Sequence, residues 1–248
     1  MTTPPPLGGL DIEPVSSRRT VQDEVHQRLS EALISGRLDP GQQLTIAAIA
    51  EMCGTSHMPV REALRRLAAE GALEVASTGS AYVPAVSRAR LDDLCEARII
   101  NEGAAGARAV AFADARLVRG LETVIGEYYD AARAHDLAGM TSKNQAFHFA
   151  IYRASNAPVL VRIIETLWLQ FGPYLRMLTR NVEPSLQPLE PDTYTRHHYD
   201  ILAAFKAADA KAVGRAIAAD IRSTRALLRR LCEDAEAPRA AVRSRAAG

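Results

Sequence analysis

A short turn joins two helical patterns in residues 45–71, and this spacing constrains the fold more than any other feature of the chain. Thr45 is a typical cap for a short helix that ends at Gly54, and a second helix starts near Ser56 and ends at Gly71. Apolar residues recur at helical spacing in both, and they are Ile46, Ile49, Ala50, Cys53, Val60, Leu64 and Leu67. Two amphipathic helices this close in sequence are typical of a helix-turn-helix.

The flanking sequence adds a third helix and a hairpin. A helix begins at Thr20 and ends at Gly36. After the helical pair, residues 72–76 and 81–86 form two short extended segments around a turn that contains glycine, which predicts a β-hairpin. Helix, helix, turn, helix and hairpin in this order predict a winged helix-turn-helix, a DNA-binding fold.

The second helix of the pair has arginines on its outer face. Because its apolar residues face the core, Arg61 and Arg65, four residues apart, share the exposed side. Free N–H groups at its N-terminal end suit a phosphate, and this end reads the major groove in helix-turn-helix proteins. Residues 17–87, however, carry seven arginines and no lysine against eight Asp and Glu residues. A surface helix with solvated arginines is therefore the alternative interpretation.

This part of the chain resembles the N-terminal domain of the GntR family of bacterial transcription regulators, through the segments GRLDPGQQL and IAEMCGTSHMPVREALRRLAAEGAL. The resemblance implies a dimeric operator binder, with Arg61 on a phosphate or base and the wing tip near Gly79 at the minor groove. The residues predicted to contact DNA are Thr45, Ser56, His57, Met58, Arg61, Arg65, Thr78 and Gly79.

Three positions depart from the family pattern. His57 stands where arginine is usual, Ala47 stands where some relatives carry arginine, and the wing lacks the arginine often found beside Gly79. Fewer cationic contacts predict a weaker salt dependence of DNA binding and a lower non-specific affinity.

The rest of the chain is helical in pattern. Six helices are predicted, at residues 87–110, 114–135, 137–154, 158–180, 191–207 and 209–232. With almost no strand signal between them, they predict an antiparallel six-helix bundle. The fold class is therefore mainly α, an N-terminal winged helix-turn-helix followed by a C-terminal bundle.

The predicted domain organisation has four parts. They are a disordered lead-in at residues 1–16, a winged helix-turn-helix DNA-binding domain at 17–87, an all-helical effector-binding and dimerisation domain at 88–232 and a flexible tail at 233–248. No apolar run is long enough to cross a membrane, the N-terminus lacks the order of a signal peptide, and the three cysteines have neither zinc nor disulfide spacing. These observations predict a cytoplasmic protein with no membrane partner. The resemblance to the GntR family implies a bacterial protein that is associated with the nucleoid when bound to DNA.

Four polar residues are candidates for a metal site in the bundle. Asn144 and His148 are four residues apart, so both project from one helix face. His198 and Asp220 lie among apolar residues of two later helices, where a carboxylate needs a partner or a metal. Two imidazoles with oxygen ligands suit Zn²⁺ or a similar divalent ion. The alternative is a group of hydrogen-bonded core histidines without a metal.

The region resembles the FadR C-terminal domain (FCD), in its six-helix VanR-type branch, through the segments NQAFHFAIYRASNAPVL and HYDILAAFKAAD. The family pattern has an aspartate four residues before a histidine, then two further histidines. This chain keeps His148 and His198, but has Asn144 for the aspartate and Asp220 for the last histidine. The resemblance therefore implies a rearranged metal site.

Arg98 matches an arginine in the first helix of that domain, and the resemblance implies that it pairs with the carboxylate of an effector. The alternative is an ion pair with Glu102, four residues later. Glu102 and His197 are otherwise expected to be solvated surface residues.

The leading prediction for function is a transcription regulator, acting as a repressor. Its homodimer binds double-stranded operator DNA, and its helical domain binds a small organic or sugar acid. One alternative is a degenerate, metal-free helical domain that serves only dimerisation. Another is a metal-dependent hydrolase that uses His148, His198 and Asp220. Because the sequence offers no general base for such a reaction, the chain is predicted not to be an enzyme and to have no catalytic residues.

Overall fold

A computed structural model of the chain describes residues 20–76, 80–182 and 192–245, with only the backbone course given at 181–182, 192–195 and 233–245. The first half contains α1 (Val21–Ile34), β1 (Gln43–Leu44), α2 (Ile46–Cys53), α3 (His57–Ala69), β2 (Glu74–Val75) and β3 (Ala81–Tyr82). The second half contains α4 (Arg88–Ala109), a 3₁₀ turn (Val110–Phe112), α5 (Ala115–Arg133), α6 (Leu137–Ala154), α7 (Pro158–Val182), α8 (Asp192–Lys206) and α9 (Ala210–Arg245). The fold is mainly α, a winged helix-turn-helix followed by six helices, as the sequence predicts. None of the helices in these ranges is long and apolar enough to cross a membrane.

Side-chain caps fix the ends of the first two helices. Thr20 forms a capping box with Asp23 at the start of α1. The hydroxyl oxygen of Thr45 accepts a hydrogen bond from the N–H of Ala48 at 3.3 Å and starts α2. Gly54 ends α2 in the left-handed conformation. The turn before α3 is therefore determined by local sequence.

A three-stranded antiparallel sheet forms the wing, with β3 between β1 and β2. Tyr82 in β3 pairs with Gln43 on one side and Glu74 on the other. The sequence predicts the β2–β3 hairpin but not β1, because a strand of two residues has no periodic signal. The tip of the hairpin, which contains the predicted contacts Thr78 and Gly79, lies outside the described residues.

α4 and α9 pack against each other along the second half. Their backbones approach at Gly103 and Gly214, where a Cβ added to Gly214 would lie 3.2 Å from the carbonyl oxygen of Gly103. An ion pair between Arg229 and Asp92 joins the same helices at 3.3 Å. The backbone of α9 stays helical to Arg245, past the predicted end near residue 232, and residues 233–245 are rich in Ala, Glu and Arg, which favour helices.

α7 joins the two halves of the molecule. Its Leu169 is buried in the core of the N-terminal half. At Gly172 an added Cβ would lie only 2.3 Å from the carbonyl oxygen of Leu33, so the backbones of α7 and α1 are in close contact. One turn later, Arg176 forms an ion pair with Asp39 at 2.7 Å. The winged domain is therefore held against the bundle by packing and charge.

The contact at Gly172 leads to a stability prediction. We expect Gly172→Ala to lower the free energy of unfolding by about 1–3 kcal/mol, because α1 and α7 must separate to admit the methyl group. Chemical denaturation of the full chain measures this change.

Gly126→Ala in α5 is the matched control. Nothing lies within 4 Å of a Cβ at Gly126, so the same substitution should raise the free energy of unfolding by about 0.5–1 kcal/mol through backbone entropy. A Gly172→Ala variant that is also stabilised would contradict the contact between α1 and α7.

Candidate functional site

The N-terminal end of α3 is an exposed surface. Ser56 is its N-cap, but the Ser56 side chain makes no capping hydrogen bond, so the first N–H groups of the helix are available to a ligand. His57, Met58 and Arg61 are exposed on the same end. Arg61 makes no hydrogen bond or ion pair with any residue in the described part of the chain. This end therefore presents free N–H donors and one unneutralised guanidinium group.

The other arginines of α3 have acidic partners. Arg65 is exposed and donates a hydrogen bond to Glu62 at 3.0 Å. Arg66 contacts Asp23 at 3.4 Å and Glu70 at 3.2 Å. Of the predicted DNA contacts in the described ranges, Ser56, His57, Met58 and Arg61 lie at the helix end and Arg65 one turn later. Thr45 is exposed and serves as the cap of α2.

A second site lies inside the bundle. His148 on α6, His198 on α8 and Asp220 on α9 each offer one ligand atom, and these atoms lie within 4.8 Å of one another. Both histidines are buried and Asp220 is half-buried. Asn144 joins them, since its Oδ1 lies 3.0 Å from Nε2 of His198. The structure thus brings together all four residues proposed from the sequence, beside a cavity of about 350 Å³.

A chain of hydrogen bonds assigns the proton on His148. Tyr152 donates its hydroxyl hydrogen to Glu102 at 2.5 Å, and the same oxygen lies 3.1 Å from Nδ1 of His148. Because the single phenolic hydrogen is used on the carboxylate, Nδ1 must donate to the tyrosine oxygen. Nε2 of neutral His148 then turns a lone pair toward Oδ2 of Asp220, 3.2 Å away. A lone pair and a carboxylate repel, so a proton or a metal cation is required between them.

His198 has a free ring nitrogen in the interior. Its Nδ1 is buried and has no hydrogen-bond partner among the described residues. Tyr128 and Phe147 hold the ring, with centroid distances of 5.0 and 4.6 Å. Burial, and then the neighbouring His148, lower the pKa of His198 to about 4. The imidazole is therefore neutral near pH 7, which is the form that binds metals.

Asp220 is charged under the same conditions. Burial acts to raise its pKa. When a proton lies between its Oδ2 and Nε2 of His148, the hydrogen bond and the charge interaction with His148 outweigh burial and lower the pKa to about 2. One carboxylate and two imidazoles next to a cavity fit the ligand preference of Zn²⁺ and similar ions.

Arg98 lines the cavity but has an acidic partner. It is buried and forms a two-point ion pair with Glu102, at 2.6 Å from Nε and 3.3 Å from Nη2. Its guanidinium carbon lies 4.8 Å from the ring centroid of Trp168 and 4.4 Å from that of Phe171. The alternative ion pair considered from the sequence is therefore present, and it holds Arg98 at the cavity wall.

Two expectations from the sequence are wrong. Glu102 is fully buried rather than solvated, and it accepts hydrogen bonds from Arg98, Tyr152 and Trp168. His197 is half-buried and lines the cavity. Glu102 falls on the same helical face as the buried residues of α4, so its position in the helical pattern could have predicted its burial.

Comparison with known proteins adds family information. Residues 93–223 match the family model described as "FCD domain", and residues 21–83 match "Bacterial regulatory proteins, gntR family". The "HTH-type transcriptional regulator McbR" of Escherichia coli (strain K12) is 32% identical over 205 residues, covering 83% of this chain and 91% of McbR.

Two further comparisons agree with these. The solved structure "E. coli McbR/YncC" has a TM-score of 0.79 at 31% identity and covers 85% of this chain and 98% of its own. The "Probable D-xylose utilization operon transcriptional repressor" of Paenarthrobacter nicotinovorans is 29% identical over 195 residues, covering 78% of this chain and 82% of that protein.

The buried imidazole of His198 predicts a pH dependence of stability. The ordinary pKa of histidine is 6.5, whereas that of His198 is about 4, so between these values only the unfolded chain binds the proton. With a chelator present, the free energy of unfolding should therefore fall as the pH falls through this interval, by about 1.4 kcal/mol per pH unit from this residue. We expect His198→Gln to remove that slope in denaturation curves. The contribution of Asp220 is lost only below its ordinary pKa of 3.8 and does not interfere.

His57→Gln provides the control, because it removes an exposed imidazole and should keep the slope of the unsubstituted protein. Equal slopes in the His198→Gln variant and the unsubstituted protein would contradict the burial of a neutral His198.

Proposed function

Because the chain belongs to the gntR family of bacterial regulatory proteins and carries an FCD domain, we propose that it is a repressor controlled by a small carboxylate bound in its helical domain. At the coarser level the chain is a DNA-binding transcription regulator rather than an enzyme, and the hydrolase alternative is dropped. The observation that carries the finer proposal is the group of His148, His198 and Asp220 beside a cavity of about 350 Å³.

We assign residues 17–87 to DNA binding and residues 88–232 to effector binding and dimerisation. In this assignment the N-terminal end of α3 enters the major groove, where its N–H groups and Arg61 contact a phosphate or a base edge. A homodimer presents two such helices to the half-sites of a pseudo-palindromic operator. The exposure of Arg61, with no partner in the described part of the chain, supports this role.

His148, His198 and Asp220 are the residues that would hold a divalent ion such as Zn²⁺, with Asn144 beside them. The ion would supply positive charge and open coordination positions for the effector carboxylate. The free Nδ1 of His198 and the lone pair of His148 opposite Asp220 support this assignment. Since Asn144 is neutral, we expect weaker metal binding than an aspartate at that position would give.

The effector binds, in this proposal, between Arg98 and the metal group, which is the set of His148, His198 and Asp220. The guanidinium group of Arg98 is fixed by Glu102 and lines the same cavity, so the N–H groups that Glu102 does not use are already ordered for a carboxylate. An effector changes DNA binding only when its affinity differs between the two dimer arrangements. We propose that it favours the arrangement that does not fit the operator, which relieves repression.

The DNA-binding role of Arg61 is tested by Arg61→Ala. We expect operator affinity to fall by about 1–3 kcal/mol, because one charged contact is lost. If Arg61 contacts a phosphate, the loss is equal on unrelated DNA and the salt slope drops by about 1, whereas a base contact affects the operator alone. Fluorescence anisotropy at several salt concentrations separates these cases.

Arg133→Ala, which removes an exposed arginine at the end of α5, is the control for net charge. Unchanged operator affinity in the Arg61→Ala variant would reject the proposed orientation of α3 on DNA.

The metal assignment is tested by Asp220→Asn. We expect this variant to bind Zn²⁺ at least about tenfold more weakly, because it loses the only charged ligand of the group. Isothermal titration with Zn²⁺ and elemental analysis of the purified protein measure the change.

Asp200→Asn, at an exposed carboxylate on α8, should leave Zn²⁺ binding unchanged. Failure of the unsubstituted protein to bind Zn²⁺, Mn²⁺ or Ni²⁺ would contradict the metal site and favour a domain that serves dimerisation only.

A further inference from the structure

The cavity beside the metal group extends to the DNA-binding domain. Ile34, the last residue of α1, is one of its lining residues. Ile34 is half-buried and packs against the hydrophobic clusters of both halves of the molecule. A ligand that fills the cavity therefore contacts the winged domain directly, as well as the bundle.

The walls of the cavity divide into a polar and an apolar region. The polar region contains Arg98, His148 and Asp220, and the lining also includes the polar residues Thr179, Ser223, Thr224 and Arg230. The apolar residues come mainly from α7 and α9, and they are Trp168, Phe171, Leu175, Leu178, Ile221 and Leu227. The lining residues of α7 run from Trp168 to Thr179, which corresponds to roughly 16 Å along a helix axis.

The end of α1 lies at the apolar part of this wall. Gly172 touches the carbonyl oxygen of Leu33, and a Cβ added to Gly36 would lie 3.2 Å from the carbonyl carbon of Leu175. Ile34, between Leu33 and Gly36, therefore lies beside the Phe171 to Leu175 segment. A ligand with its carboxylate at the polar region would reach Ile34 with the opposite end of its body.

We propose that the effector is a carboxylate with an elongated apolar or aromatic body, and that Ile34 forms the far wall of its site. This inference rests on the proposed function and specifies its ligand class. A sugar acid that reaches this part of the wall would place hydroxyl groups against Ile34, Phe171 and Leu175, whose side chains cannot form hydrogen bonds, and this lowers its affinity. The length of the body is thus sensed by a residue of the DNA-binding domain.

The junction around Ile34 is built so that such a contact changes the position of α1. Pro173 has no N–H, so α7 lacks one helical hydrogen bond beside the close contact at Gly172. Arg176 holds the next turn of α7 to Asp39. A ligand body wedged between Phe171 and Ile34 acts on this packed contact, and a packed contact shifts between discrete arrangements.

The test measures the binding of a series of aromatic acids of increasing length to the full chain. Benzoate, phenylacetate, phenylpropanoate and phenylbutanoate are titrated by calorimetry, with gluconate as a polar acid. In the unsubstituted protein we expect affinity to rise by about fourfold for each added methylene until the body reaches Ile34. In the Ile34→Phe variant, the acid with the highest affinity should be at least one methylene shorter than in the unsubstituted protein. In the Ile34→Ala variant, it should be longer.

Leu38 supplies the matched control. It is half-buried and packs only against the core of the N-terminal half, outside the cavity lining. Leu38→Ala and Leu38→Phe should keep the length preference of the unsubstituted protein. Should the larger change at position 34 prevent folding, Ile34→Val and Ile34→Met give the same comparison with smaller changes in volume.

Hydrogen exchange gives the second readout. Binding of the preferred acid should slow amide exchange in the last turn of α1 and in α7 near Gly172, while α3 of the same domain exchanges as before. Binding of an aromatic acid without any change in α1 would overturn the role of Ile34.

The outcomes separate this inference from the proposed function. Aromatic acids that bind with one length preference in all variants would overturn the Ile34 contact and leave the effector site intact. Gluconate binding more tightly than every aromatic acid would overturn the ligand class alone. Binding of no acid of either kind would reject both the effector part of the proposed function and the inference built on it.

Discussion

The buried carboxylate of Glu102 is the interaction on which the interior of the helical domain depends. It is fully shielded from solvent and accepts hydrogen bonds from Arg98 on its own helix, Tyr152 on α6 and Trp168 on α7. An ion pair at this depth is expensive to desolvate, and removal of one partner typically costs about 3–5 kcal/mol. The three helices are therefore held in one arrangement by a single charged group.

The same carboxylate sets the protonation of the proposed metal site without belonging to it. By using the hydrogen of Tyr152, Glu102 leaves the tyrosine oxygen as an acceptor for Nδ1 of His148. The other nitrogen of His148 is then unprotonated and turned toward Asp220. A hydrogen bond from the ring nitrogen that does not bind the metal commonly orients a metal-binding histidine. A structural ion pair and the proposed metal site are thus parts of one network.

Local patterns in the sequence predicted most of the helices and the four residues that meet in the bundle. Asn144 and His148 follow from their spacing on one helix, and His198 and Asp220 follow from polar residues in apolar surroundings. The network around Glu102 could not be predicted in the same way, because Tyr152 and Trp168 are 50 and 66 residues away in sequence. The contact of Gly172 with α1 was also invisible, since it depends on how two separately predicted units pack. The tip of the wing lies outside the described residues, so the DNA contacts of Thr78 and Gly79 stay predictions.

The arrangement of charge in the winged domain explains how a segment with a slight excess of acidic residues can serve DNA binding. Glu62 and Glu70 contact Arg65 and Arg66, so much of the positive charge on α3 is neutralised within the domain. Arg61 and the free N–H groups at the start of α3 supply the positive charge at that end of the helix. A domain of this kind has little general attraction for the phosphate backbone, and its affinity depends on correct docking of the helix. In the proposed homodimer two α3 helices dock together, so a small change in their relative position would remove most of the binding. Weak non-specific attraction would therefore make the proposed regulator more sensitive to an effector that moves α1 against α7.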